Sequence, residues 1–196
     1  MNLSFWLMKL MKVSANLSAQ DLRRQELLEV VDGALLETGL SGNCLILEIT
    51  ESMLIEDVDA TINLLRQLKE RGIGISIDDF GTGYSSLSYL HRLPVDSLKV
   101  DRSFVNMQEG RRNHRIVETI VTLSEHLKLD TIAEGIETLQ QLEWLQELGY
   151  KFGQGYLFSP PLSESDAEAI LGIKIGFSEP NFTIKMRRFQ SSKFLL

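Results

Sequence analysis

Acidic side chains recur at the ends of the short apolar stretches of this sequence. The clearest case is GISIDDF, where Asp78 and Asp79 directly follow an apolar run. The stretch LILEITE ends at Glu51, and DTIAE ends at Glu134 with Glu137 just beyond it. Neighbouring carboxylates repel and lose hydration when they are brought together, so such a cluster needs a cation to stabilise it.

Three further polar residues follow the same pattern. KVSAN ends at Asn16, SLKVD contributes Lys99, and YKFGQ ends at Gln154. In sheets of parallel strands, the carboxyl ends of the strands carry the chemistry. A single acid after a strand usually caps the next helix. Because every predicted strand ends in a polar group, a shared site is favoured over a series of independent caps.

The types of these residues predict a hard divalent cation. All the candidate ligands offer oxygen, and the three histidines show no metal-ligand spacing, so Mg²⁺, Mn²⁺ or Ca²⁺ fits best. Two such ions that share a carboxylate commonly promote phosphoester hydrolysis. A nearby lysine can stabilise negative charge that develops on a phosphate.

Alternating strands and helices must position these groups. Continuous apolar runs predict six strands at residues 12–15, 45–50, 74–77, 98–100, 131–133 and 151–153. Apolar residues at helical spacing fill the segments between them. This alternation predicts an α/β fold with a parallel sheet covered by helices.

Helix signals support this order. Apolar residues repeat at helical spacing after residue 57, and Gly72 follows them as a stop signal. A second repeat of this kind includes Ile116 and Ile120. Thr138 and Gln141 form a capping-box pattern that predicts the start of another helix.

Composition limits the class of protein. The chain has 196 residues with 43% hydrophobic content, enough for one domain with a core. Its net charge of -7 disfavours a DNA-binding role. The N-terminal apolar segment is too short to span a membrane. The single cysteine, Cys44, cannot form an internal disulfide, and a cytoplasmic location is expected.

The motifs VSANLS, LEITES, GISIDDFGTGYSSLSYLHRLPVDSLKVDRSFV, TIAEGIET and GYKFGQGYLFSPPL together resemble the EAL-domain family of cyclic di-GMP phosphodiesterases. The resemblance runs from about residue 13 to 171. It implies a TIM-type β/α barrel, with a partial EAL domain at 1–171 and a basic tail of unknown structure at 172–196. The implied reaction is hydrolysis of one phosphodiester of cyclic di-GMP, which gives linear pGpG.

The resemblance also implies a site that holds two Mg²⁺ or Mn²⁺ ions. Asn16, Glu51 and Asp78 correspond to ligands of the first metal. Asp78 bridges to the second metal, which Asp79 and Glu134 help to bind.

Roles in catalysis and binding follow in the same way. Lys99 corresponds to a lysine that contacts the hydrolytic water and the phosphate, and Glu134 also assists as a base. Glu137 and Gln154 correspond to supporting polar residues around the substrate. The loop at 80–86 resembles one that couples the metal site to homodimerisation. Longer relatives carry an upstream sensory or GGDEF-type domain.

One departure from the family pattern is clear. The Glu-Ala-Leu tripeptide that names the family is absent from the sequence, as are its strand and one earlier strand. We therefore expect an incomplete barrel of about six of eight strands, whose first metal lacks one glutamate ligand. An arginine expected to contact the substrate phosphate is absent with them.

Three alternatives to an active phosphodiesterase follow from this departure and from the acidic strand ends. The chain could be a catalytically inactive module that binds cyclic di-GMP or another protein. It could be a piece that does not fold stably alone. An unrelated barrel metalloenzyme of the enolase type also uses carboxylates at strand ends, although with a different lysine arrangement.

Overall fold

The structure, a computed structural model, describes residues 12–54, 58–83, 87–106, 111–171 and 187–188. The predictions for the N-terminal apolar segment and for most of the basic tail lie outside these residues. So does part of the loop at 80–86, whose residues 84–86 are not described.

Six short strands form the body of a parallel sheet. They are β1 (Val13–Asn16), β2 (Leu45–Thr50), β3 (Gly74–Phe80), β4 (Ser97–Val100), β5 (Asp130–Ala133) and β6 (Phe152–Gly153). A two-residue strand from the tail, β7 (Arg187–Arg188), pairs antiparallel with β6. All six predicted parallel strands are confirmed, five of them within one residue at each end.

Helices connect the strands in the expected alternation. Within the described ranges they are α1 (Ala19–Leu22), α2 (Leu27–Thr38), α3 (Val58–Glu70), α4 (Leu87–Leu90), α5 (Arg102–Val105), α6 (Arg111–Leu127), α7 (Leu139–Glu147) and α8 (Glu164–Leu171). The predicted stop at Gly72 is confirmed, because this residue follows α3 with a φ of 81°. The capping box is also confirmed, since the Thr138 side chain accepts a hydrogen bond from the Gln141 backbone N–H.

The strands pair in the order in which they occur along the chain, from β1 to β6. Each neighbouring pair is parallel. The fold is therefore an incomplete TIM-type barrel, in which all the strand carboxyl ends lie at one edge.

Both faces of the sheet are buried in β3 and β4, with apolar residues on one face and Ser76 and Lys99 on the other. Ile75, Ile77 and Leu98 are fully buried in β3 and β4. Leu65 and Leu68 of α3 are equally buried and belong to the same core. This packing positions the strand ends as a rigid platform for the polar groups that follow.

The strand β3 differs from the prediction in its length. It was expected to end at residue 77, but pairing with β4 continues to Phe80 after a register shift. The shift accommodates Asp79, whose φ of 54° lies in the left-handed region. An aspartate adopts this conformation more readily than most side chains, but at some energetic cost. The two adjacent acids therefore lie inside an irregular strand rather than in the loop beyond it.

Candidate metal and phosphodiester site

Three carboxylates converge at the carboxyl edge of the sheet. One oxygen each from Asp78, Asp79 and Glu134 lies within 4.8 Å of the others. Asp78 and Asp79 belong to β3, and Glu134 follows β5 directly. Asp78 and Glu134 are half-buried and Asp79 is exposed. The cluster is thus open to solvent on one side and enclosed by protein on the other.

Lys99 lies beneath this cluster and joins it to a further acid. Its side chain is 1% exposed. The Lys99 Nζ lies 2.8 Å from Glu48 Oε2, 2.8 Å from Asp78 Oδ1 and 2.6 Å from Glu134 Oε1. Burial disfavours the ammonium charge, but the surrounding carboxylates outweigh this effect and hold the pKa of Lys99 above its ordinary value. Lys99 is therefore a permanent cation among three acids.

The surroundings of Glu134 raise its pKa above the ordinary value. Burial raises the pKa of Glu134, and the carboxylates of Asp78 and Glu48 act in the same direction, while Lys99 opposes them. Gln154 Nε2 donates a hydrogen bond of 2.6 Å to Glu134 Oε1. A divalent cation near this carboxylate would lower its pKa again.

The irregular backbone of β3 brings Asp79 to the same place. Because successive side chains of a regular strand point to opposite faces, Asp78 and Asp79 could not otherwise share a site. The left-handed φ of Asp79 breaks this alternation. The Asp79 N–H also donates to Asp78 Oδ1 at 3.1 Å. The strained backbone at Asp79 thus allows the adjacent carboxylates of Asp78 and Asp79 to converge.

Comparison with known proteins places this geometry in a family. The profile of the EAL domain family matches residues 3–161. The chain belongs to the EAL domain family. Its relatives include the cyclic di-GMP phosphodiesterase NbdA of Pseudomonas aeruginosa, 46% identical over 162 residues. They also include MucR of the same organism, a bifunctional diguanylate cyclase/cyclic di-GMP phosphodiesterase, 46% identical over 151 residues.

These relatives are much longer than the present chain. The match covers 82% of this chain and 21% of NbdA, and 76% of this chain and 22% of MucR. The chain therefore spans about a fifth of the length of these two curated relatives. Within the residues that the structure describes, no helix combines the length and apolar character needed to cross a membrane.

Solved EAL structures share the fold. A structure of the PaMucR phosphodiesterase in complex with c-di-GMP aligns with a TM-score of 0.77 and 42% identity, covering 82% of this chain and 69% of that one. A manganese and c-di-GMP complex of Klebsiella pneumoniae BlrP1 aligns with a TM-score of 0.71 and 35% identity, covering 76% of this chain and 39% of that one.

Glu51 of this EAL domain makes different contacts from the other predicted ligands, and its role as a metal ligand stays a prediction. Its carboxylate is buried away from Lys99, and its Oε2 accepts a hydrogen bond from the Gly81 N–H at 3.0 Å. A Cβ added at Gly83 would lie 2.8 Å from Glu51 Oε1. Glu51 therefore holds the loop that follows β3. It does not lie among the carboxylates that surround Lys99.

Glu48, which the sequence patterns did not single out, lies among the carboxylates around Lys99. It is 2% exposed and contacts Lys99. Glu51 directly follows the predicted strand at 45–50, and in the structure it begins a short 3-10 helix after Thr50, whereas Glu48 lies inside β2. Strand alternation could have identified Glu48, because the register places it beside Ser76, two residues before Asp78 on the same face.

The other predicted residues divide into two groups. Asn16 ends β1 at the register position next to Glu48, and Gln154 contacts Glu134 directly. Glu137 is exposed beside the start of α7, where its N–H donates to Gln141 Oε1 at 2.8 Å. The structure thus brings Asn16 and Gln154 to the site region, whereas the substrate-binding role of Glu137 stays a prediction.

Proposed function

We propose that this EAL domain hydrolyses cyclic di-GMP to linear pGpG. The observation that carries the proposal is the convergence of the Asp78, Asp79 and Glu134 carboxylates within 4.8 Å, directly above the buried Lys99. The names of NbdA and MucR and the c-di-GMP complex of PaMucR support the choice of substrate.

The cluster has the donor chemistry of a site for Mg²⁺ or Mn²⁺. Its ligands are carboxylate oxygens, which hard divalent cations prefer. Asp79 and Glu134 would hold one cation, Asn16 and Glu48 would hold another, and Asp78 would serve both. When bound, two such cations stabilise negative charge on the reacting phosphodiester. This assignment replaces Glu51 with Glu48 as the acidic ligand contributed by β2.

Glu134 and Lys99 would assist the hydrolysis by proton transfer and by positioning. Glu134 would take the proton of the attacking water as the water oxygen forms its bond to phosphorus. The phosphorus bond to one ribose 3′ oxygen breaks, and that oxygen takes a proton from solvent. Lys99 would fix the positions of Asp78 and Glu134 during this step and add positive charge next to the phosphate.

Turnover assays on matched variants test this proposal. We expect release of pGpG in the presence of Mg²⁺ or Mn²⁺, and at least about a hundredfold loss of kcat in Asp79→Asn and Glu134→Gln, since each removes a charged ligand. Asp59→Asn is the control, because Asp59 is an exposed acid of α3 that pairs with Arg92. Equal rates in the wild type, Asp79→Asn and Glu134→Gln would refute the proposal.

A second candidate function is binding of cyclic di-GMP without hydrolysis. One observation favours it: the described part of the sheet has six parallel strands, whereas a TIM barrel closes with eight. Calorimetry with cyclic di-GMP that shows binding, together with no pGpG release at saturation, would favour this function.

The setting of the domain is also a proposal. We infer a cytoplasmic protein that acts on a small dinucleotide rather than on DNA, in agreement with its net charge of -7. Homodimerisation through the loop at 80–86 and an upstream sensory or GGDEF-type domain remain predictions. Sedimentation of the chain over a range of concentrations tests the dimer.

A further inference from the structure

The loops after β5 and β6 are joined backbone to backbone next to the site. The Gln154 N–H donates to Ala133 O at 2.8 Å, and the Ile136 N–H donates to Gln154 O at 3.1 Å. The Leu157 N–H then donates to Ile136 O at 3.0 Å. One hydrogen bond thus joins Gln154 to the last residue of β5, and two more join the loop after β6 to Ile136 of the loop that begins at Glu134.

This contact is possible because residue 155 is glycine. A Cβ built at Gly155 would lie 2.1 Å from Ile136 O and 2.3 Å from Ile136 N. Both atoms belong to the backbone and take part in the hydrogen bonds between the loops, so neither can move aside without cost. By contrast, a Cβ at Gly33 or Gly149 would meet nothing within 4 Å. A Cβ at Gly42 would be blocked in the same way, 2.0 Å from Arg71 O, but Gly42 precedes β2 at the other edge of the sheet, whereas Gly155 directly follows Gln154.

The close contact between Gly155 and the Ile136 backbone determines where the side-chain amide of Gln154 lies. Its Nε2 donates to Glu134 Oε1 at 2.6 Å. Its Oε1 is buried without a hydrogen-bond partner in the described part of the chain. The amide orientation therefore depends on Glu134 alone, and a shift of this loop by 1 Å would break the contact.

We propose that Gly155 is a positioning residue for Glu134, and that it acts through Gln154. By allowing the two loops to touch, Gly155 holds the Gln154 amide against one oxygen of the Glu134 carboxylate. The same oxygen lies 2.6 Å from Lys99 Nζ, so Gln154 and Lys99 together fix the Glu134 carboxylate beside Asp78 and Asp79. The kinetic consequence rests on the proposed phosphodiesterase function, whereas the consequence for binding of a divalent cation does not.

A double-mutant cycle tests this proposal on the full chain. The variants are Gly155→Ala, Gln154→Met and the double variant, and the primary measurement is Mn²⁺ affinity by calorimetry. We expect each single variant to lower the affinity about tenfold, a typical loss when a partner of a metal ligand is removed. The double variant should be no weaker than the weaker single variant, because both act through one contact.

Turnover gives a second measurement of the same cycle. If the wild type hydrolyses cyclic di-GMP, Gly155→Ala should lower kcat about tenfold with KM changed less than about twofold, because the proposed role of Gly155 is to position Glu134 for the chemical step. If the wild type shows no turnover, the proposed function fails, but the Mn²⁺ cycle still decides the present proposal.

Controls separate positioning from general damage. Gly33→Ala in α2 adds a methyl group in open space and should leave Mn²⁺ affinity unchanged, while the thermal midpoint should not fall, because alanine is favoured over glycine inside a helix. Additive losses of affinity in the double variant would overturn the proposal, because Gly155 would then act independently of Gln154. A Gly155→Ala protein that fails to fold would also overturn it, since the glycine would then be needed for folding rather than for positioning.

Discussion

A lysine forms ion pairs with carboxylates at each end of the sheet, but the two groups differ in burial and in the number of acids. At the carboxyl edge, Lys99 is 1% exposed and contacts three carboxylates. At the opposite edge, Lys69 and Asp96 form a one-to-one pair whose side chains are 34% and 47% exposed. Asp96 Oδ2 also accepts a hydrogen bond from the Ile75 N–H at 2.7 Å.

The difference lies in the balance of charge. The pair of Lys69 and Asp96 is neutral, is hydrated and holds the first residues of β3 in place, so it needs no further partner. The group around Lys99 keeps an excess of negative charge in a partly dry place, where an unbalanced charge is costly. Only the second arrangement has a physical reason to attract a divalent cation.

Removing Lys99 is the most disruptive way to test this comparison. In the presence of EDTA, Lys99→Met should lower the free energy of unfolding by about 3–5 kcal/mol, because it leaves buried carboxylates without their counter-charge. Urea denaturation measures the loss, and added Mn²⁺ should recover part of it. A loss below about 1 kcal/mol, which is typical of an exposed ion pair, would show that solvent screens the charges around Lys99.

The raised pKa of Glu134 predicts a pH dependence. The folded protein holds the Glu134 proton to a higher pH than the unfolded chain, whose ordinary value is 4.5. In EDTA, stability from this group should therefore fall as pH rises from about 4.5 through the folded pKa of Glu134. Denaturation midpoints across this range measure the effect. Glu134→Gln should abolish this contribution, and an identical pH profile in that variant would contradict the assignment.

A smaller loss is expected at the opposite edge of the sheet. Asp96→Ala removes the acceptor of the Ile75 N–H and should cost about 1–2 kcal/mol. Asp96→Asn keeps an acceptor and should cost less. Mn²⁺ affinity should match the wild type in both variants, as calorimetry can check, because Asp96 lies at the other end of the strands. A fall in Mn²⁺ affinity would mean that the two edges are coupled.

The smallest effect is expected for Lys69→Met. The variant removes an exposed ion pair but keeps the hydrogen bond between Asp96 and Ile75. Its cost should be below about 1 kcal/mol in urea denaturation, and salt should reduce it further. If Lys69→Met lowered the free energy of unfolding as much as Lys99→Met does, the two edges of the sheet would not differ in the way that their burial predicts.

The elements of the fold were largely predictable because their signals are local. Continuous apolar runs identified all six parallel strands, and Gly72 marked the end of α3. The capping box of α7 depends on residues three positions apart, so it could be read directly. The helix α2 was not identified, and it contributes only Leu27 and Val31 as buried residues.

The site was predictable in its chemistry but only partly in its membership. Asp78, Asp79 and Glu134 were chosen as oxygen ligands, and the structure brings these three together. Glu51 was chosen in place of Glu48, because the last acid of a strand motif looked like the one at the strand end. The boundary of β2 was predicted correctly, but Glu48 lies inside the strand, and the strand-end pattern does not consider the face on which an internal residue lies.

The sequence by itself determined the order of the elements, the oxygen-rich chemistry of the strand ends and the resemblance to the EAL family. These depend on residue type and on spacing along the chain. Only the tertiary structure decided that Glu48 rather than Glu51 contacts Lys99, that Asp79 turns toward Asp78, and that Gly155 lies against Ile136. These facts depend on strand register, on a local shift of pairing and on the distance between two loops, which residues far apart in the chain set together.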